Sequence, residues 1–153
     1  MITVSHCLAL PELAPAAVVA GFGGLNRSVR LAHVIDEPDI AAWAAHDVLV
    51  LTTFHNHPNS EDFWTALIPA LDQQRVAALF VAIGRYIESI PLLACELADR
   101  YAFPIITLPF SLPFVTVAEA IHRLIIEDNR VTWSKVSDIQ IRVTESAVRA
   151  KSV

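Results

Sequence analysis

Three stretches of the chain are apolar with almost no interruption: Val48-Leu49-Val50-Leu51-Thr52-Thr53, Val76-Ala77-Ala78-Leu79-Phe80-Val81-Ala82-Ile83 and Phe103-Pro104-Ile105-Ile106-Thr107-Leu108. Each is strand-sized, and the lack of polar alternation predicts parallel strands covered on both faces. Between the first two, Phe63, Leu67, Ala70 and Leu71 recur at helical spacing within residues 59–74. Asn59 is the expected N-cap there, with Glu61 and Asp62 in the first turn. Between the second and third, Leu93, Leu97 and Ala98 share one face of a helix over 90–101, with Pro91 in its opening turn. The pattern is β-α-β-α-β. Upstream, residues 17–20 and 29–35 read as two further strands, and short helices are expected over 4–10, capped by Thr3, and over 38–45.

The pattern changes near residue 114. Thr116 and Glu119 have the spacing of a capping box, with Thr116 as N-cap, and no Pro or Gly follows as far as residue 153. Phe114, Val117, Ile121 and Leu124 hold helical spacing. Trp133, Val136, Gln140, Val143 and Ala147 repeat it in a shifted phase after a break at residues 127–130. A continuous helix over 117–153 would extend about 55 Å at 1.5 Å per residue. A body of this size cannot cover that length, so a homodimer packed through the helix is expected. The alternative is two shorter helices folded back on the body. The fold class expected is α/β, a mainly parallel central sheet flanked by helices (1–113) and followed by a long C-terminal helix (114–153) serving as linker and dimerisation segment.

Composition narrows the classes. Of 153 residues, 54% are hydrophobic and 18% charged, which excludes an intrinsically disordered chain. Mean hydropathy is high at +0.49, yet no apolar run approaches the ~18 residues of a membrane span. Neither a secretory signal nor a disulfide framework is visible, the only cysteines being Cys7 and Cys95, so a cytoplasmic location is expected. Residues 1–129 carry a net charge of −8 and residues 130–153 a net of +3. An acidic body of this kind lacks the clustered basic surface of a nucleic-acid binder.

Candidate chemistry is sparse. The cluster Gly21-Phe22-Gly23-Gly24 lacks the third glycine of a dinucleotide fingerprint, that position being Asn26, and a strand rather than a helix follows. It reads as a tight β-turn needing positive φ. His55 and His57 lack the further ligands a metal site requires, so neither a metal nor a cofactor is expected. Asp36 and Glu37, adjacent on an extended chain, point to opposite sides and do not form an acid/base pair. One of them is expected to cap the helix beginning at Pro38. No nucleophile motif is present, and no catalysis is expected. Gly84-Arg85-Tyr86 closes the second buried strand, where open parallel sheets bind ligands. The glycine allows close approach, Arg85 can hold an anion or a carbonyl, and Tyr86 offers a stacking face. A turn glycine, an exposed Arg paired with a carboxylate and a packed Tyr explain the same residues equally well.

One family shares the order of these segments. They are Gly21-Phe22-Gly23-Gly24-Leu25-Asn26-Arg27-Ser28-Val29-Arg30, Ile35-Asp36-Glu37-Pro38, Asp47-Val48-Leu49-Val50-Leu51-Thr52-Thr53 and Ala82-Ile83-Gly84-Arg85-Tyr86-Ile87-Glu88-Ser89-Ile90-Pro91. Leu97-Ala98-Asp99, Phe103-Pro104-Ile105-Ile106-Thr107-Leu108-Pro109 and Pro113-Phe114 complete the set. Over about residues 3–125 the chain resembles the N-terminal domain of PucR-type transcriptional regulators, the purine catabolism regulatory protein-like family. The resemblance implies a domain that senses a small nitrogen metabolite, joined through a long middle segment to a distant helix-turn-helix. That helix-turn-helix, absent from this chain, would make all the DNA contacts, and the chain is expected to be an excised sensory domain. Read with the strand-end rule, the resemblance places the effector against Thr52, Thr53, His55, Gly84, Arg85, Tyr86 and Glu37. The rival expectation is a protein-protein interaction module that binds no ligand. The family pattern has glycine directly after Leu-Thr-Thr, where this chain has Phe54. Either the ligand differs from the family's, or the ring partly fills the pocket.

Overall fold

The computed structural model describes residues 1–131. Its centre is a five-stranded sheet in the order β1-β5-β4-β3-β2, built from β1 (Ala17–Ala20), β2 (Leu31–Val34), β3 (Val48–Thr52), β4 (Ala78–Ile83) and β5 (Ile105–Pro109). β2, β3, β4 and β5 are mutually parallel, and β1 runs antiparallel against β5. The helices are α1 (Val4–Leu8), α2 (Ile40–Trp43), α3 (Glu61–Gln73), α4 (Leu92–Tyr101) and α5 over residues 114–131. Among the described residues no helix is long and apolar enough to cross a membrane.

The uninterrupted apolar runs follow from two separate cores. Side chains alternate across a strand. Val48, Val50, Leu79, Val81 and Ile105 pack with Trp64, Ile68 and Leu71 of α3 and Ala94 and Ala98 of α4. Leu49, Leu51, Ala78, Phe80, Ile106 and Leu108 pack on the opposite face with Val4, Cys7, Leu13 and, from α5, Val117 and Ile121. Both faces of β3 and β4 are therefore dry. α5 also screens one sheet edge: His122 Nε2 accepts a hydrogen bond from the Ala32 N–H of β2 at 3.0 Å.

Local signals set several helix starts. Thr3 caps α1, accepting from the His6 N–H, while His6 Nδ1 accepts from the Thr3 N–H. The cap of α3 is Ser60, not Asn59; the Asn59 side chain instead accepts from Trp64 Nε1 at 2.8 Å and so positions a core indole. Thr116 does not cap α5. The helix begins at residue 114, and the Thr116 N–H bonds the Pro113 carbonyl inside its first turn. The expected cap from Asp36 or Glu37 is also absent: α2 starts after Asp39 with no side-chain cap.

The glycine cluster does form a tight turn, with Gly21 at φ 74° and the Gly24 N–H bonding the Gly21 carbonyl at 2.9 Å. It does not join paired strands, since β1 and β2 lie at opposite edges of the sheet. The turn packs on the α4–β5 connection. The Gly21 N–H donates to Asp99 at 2.7 Å, and a Cβ on Gly21 or Gly24 would collide with the backbone of Phe103 or Ala102. Arg27, just beyond, donates to the carbonyls of Ala102, Val76 and Tyr101, pairs with Asp72 and lies over the Phe103 ring. This motif clamps the fold. The expected repeat at Trp133, Val136, Gln140, Val143 and Ala147, and the expected continuation of the helix beyond residue 131, lie outside the described residues.

Candidate functional site

The parallel strands β3, β4 and β5 bring their carboxyl ends to one end of the sheet, the position where open α/β sheets bind ligands. At the end of β3, the buried Thr52 hydroxyl donates to Asp36 Oδ1 at 2.9 Å and accepts from the Phe54 N–H at 3.1 Å. The Thr53 N–H and hydroxyl donate to the same oxygen at 2.8 and 3.0 Å. One carboxylate oxygen thus gathers three donors and fixes both threonines. A hydroxyl has a single proton. With that proton given to Asp36, Thr53 offers only lone pairs elsewhere.

Thr53 lines a cavity of about 320 Å³ together with Ala82, Phe110, Ser111, Leu112, Pro113 and Phe114. Thr53 and Ala82 continue the alternation of Leu49-Leu51 and Ala78-Phe80, so the cavity opens on the α5 face of the sheet. Its wall is mainly apolar, with Thr53 and Ser111 as the polar members. At its rim stands a surface stack drawn from three loops. The Tyr86 ring lies 4.4 Å from His55 and 5.9 Å from Phe110, centroid to centroid. Arg85 Cζ sits 5.4 Å from the Tyr86 centroid and 5.6 Å from that of Phe110. Among the described residues Arg85 has no carboxylate partner. Gly84, at φ 110°, donates its N–H to the Ile87 carbonyl at 2.8 Å and closes the loop that presents Arg85 and Tyr86.

A model of the purine catabolism regulatory protein-like family matches residues 6–125. The chain belongs to that family. It is similar to the purine catabolism regulatory protein of Bacillus subtilis (strain 168), at 37% identity over 103 residues, covering 65% of this chain and 19% of that protein. The chain therefore spans about a fifth of the length of that relative. No solved structure is significantly similar to it.

In this PucR-family chain the residues singled out from the sequence divide into groups. Thr52 and Thr53 share Asp36; His55, Arg85 and Tyr86 share the surface stack, which meets the cavity through Phe110. Glu37 is exposed, and it is its neighbour Asp36 that engages the threonines. Gly84 lines a different cavity, of about 420 Å³, with Pro15, Ile83, Glu88, Thr107, Leu108 and Pro109. Sequence reasoning missed Asp36, Ala82 and residues 110–114. The strand-end rule, applied to β5 as it was to β4, would have found the last of these.

Phe54 occupies a left-handed backbone position, φ 65°, which is the conformation glycine accepts most readily. Its ring is 2% exposed and stacks on Trp64 at 5.0 Å on the α3 face. It therefore lies across the sheet from the Thr53 cavity and does not fill it. His57 is buried between Phe54 and Phe63, and among the described residues both its ring nitrogens lack a partner. Burial lowers its pKa, against an upward pull from Asp36 and Glu37. His55 and His57 do not converge: one ring is on Tyr86, the other in the aromatic core. Among the described residues no group of three or more His, Cys, Asp or Glu side chains could hold a metal. Burial pushes the Cys7 thiol up to about 12, far from nucleophilic range.

Proposed function

We propose that this chain is the small-molecule-sensing and dimerising module of a PucR-type transcriptional regulator, acting in the cytoplasm without catalysis of its own. The observation that carries the reading is the cavity at the carboxyl ends of β3, β4 and β5, with Thr53 locked by Asp36 inside it and Arg85 at its rim. Its volume is at the lower end of the ~300–1,000 Å³ of small-molecule sites. The named role of the Bacillus subtilis relative, purine catabolism, makes nitrogen metabolites the first class to try. Residues 114–153 serve in this reading as linker and dimerisation segment, and DNA is bound by a helix-turn-helix elsewhere in the regulator.

The test is thermal-shift screening of the chain against purine-degradation intermediates, amino acids and nucleotides. A ligand at 100 times its Kd stabilises by about 2.7 kcal/mol, a rise in Tm of roughly 5–10 °C for a domain of this size. A screen without binders, from a chain that still dimerises, favours the ligand-free interaction module. Sedimentation equilibrium on the chain and on a version ending at Asp128 tests dimerisation. A monomer at micromolar concentration rules the dimer out, and a truncation that stays dimeric moves the interface onto the α/β body.

A further inference from the structure

We propose that the ligand is a small monocarboxylate with a flat apolar body, the body lying in the Thr53 cavity and the carboxylate pairing with Arg85. This rests on the sensing reading above and names the ligand's chemistry. Arg85 is exposed, has no carboxylate partner among the described residues, and is held over two aromatic rings at 5.4 and 5.6 Å. No hydrogen bond or ion pair among the described residues uses its guanidinium N–H donors, so the fork that matches the two oxygens of a carboxylate stays available. Phe110 links the two halves of the site, because the ring beneath Arg85 is also a wall of the cavity. One flat molecule can therefore reach from the wall to the cation.

The orientation follows from charge. Thr53 presents lone pairs with the Asp36 carboxylate behind it, so an anion is repelled from the inner end. Ala82, Leu112, Pro113 and Phe114 offer the body an apolar surface. Arg85 is the one Lys or Arg side chain in the stack, which suits a monoanion. The chain is acidic at −5, so anion binding depends on this residue rather than on a general field.

The experiment is isothermal titration of the whole chain with benzoate and nicotinate, and with benzamide and nicotinamide, their neutral near-isosteres. The acids are expected to bind at least tenfold more tightly than the amides. Arg85→Gln should erase that preference by weakening the acids alone, and Arg85→Lys, which keeps the charge but not the fork, should restore it only in part. Ser111→Trp, which fills the cavity from its rim, should abolish binding of all four. Amides that match the acids, or acids indifferent to Arg85→Gln, overturn the carboxylate assignment and leave the sensing site standing. Acids that do not bind at millimolar concentration also overturn it, and the sensing reading is then judged by the broader thermal-shift screen.

Discussion

Replacing Asp36 with alanine removes one oxygen that accepts from the Thr52 hydroxyl at 2.9 Å, the Thr53 N–H at 2.8 Å and the Thr53 hydroxyl at 3.0 Å. The three losses are unequal. Thr53 lines an open cavity, so water can take over its hydroxyl. Thr52 is completely buried, so its hydroxyl proton loses the one acceptor shown for it. The Thr53 N–H is intermediate. Hydrogen bonds to a charged acceptor contribute about 1.5–3 kcal/mol each, and stranding a buried donor costs about 1–3 kcal/mol. Because the bonds share one acceptor they do not add, and the expected loss is about 2–4 kcal/mol. That corresponds to a fall in Tm of about 5–12 °C. Urea unfolding followed by circular dichroism measures it, with an unchanged m-value expected. Asp36→Asn keeps an acceptor and should lose about half as much. A double-mutant cycle with Thr52→Val should give a coupling of about 1 kcal/mol or more. An Asp36→Ala protein within about 0.5 kcal/mol of the parent, the range of ordinary surface substitutions, would refute the view that this carboxylate organises the strand ends.

Two further predictions concern groups outside the cavity. Burial holds the folded-state pKa of His57 below its unfolded value of about 6.5, so the unfolded chain takes up the proton first. This contribution to stability is complete above about pH 6.5 and is lost as pH falls below it. Urea midpoints at pH 7.5 and 5.5 should therefore separate more in the parent than in His57→Phe, and equal separations would count against a neutral buried imidazole. Among the glycines, Gly24→Ala should prevent stable folding or cost several kcal/mol, since its Cβ would meet the Ala102 carbonyl and the Pro104 ring. Gly84→Ala meets open space and should cost only the strain of its positive φ, about 1–3 kcal/mol. Soluble, equally stable forms of both would contradict that contrast.

Much of this protein is legible one segment at a time. The apolar runs at 48–53, 76–83 and 103–108 identify β3, β4 and β5, because a strand dry on both faces has no polar position to alternate with. Helix α1 with its Thr3 cap depends on residues within one turn of each other, and so is visible locally. Gly84-Arg85-Tyr86 could be placed at a strand end from the sequence because that loop follows its strand directly.

The remainder depended on contacts that close long stretches of chain. Gly21 meets Asp99 across 78 residues and Arg27 meets Ala102 across 75, so nothing beside the glycine cluster indicates whether it joins paired strands or opposite edges. The choice between Asp36 and Glu37 turned on which of two adjacent side chains faces the end of β3, which depends on β2 lying beside β3 in register. Phe54 looked like an obstruction because sequence position cannot assign its ring to a face once the backbone turns left-handed after Thr53. Tertiary packing sent that ring to the α3 core and left the opposite face, between β3, β4 and the start of α5, open.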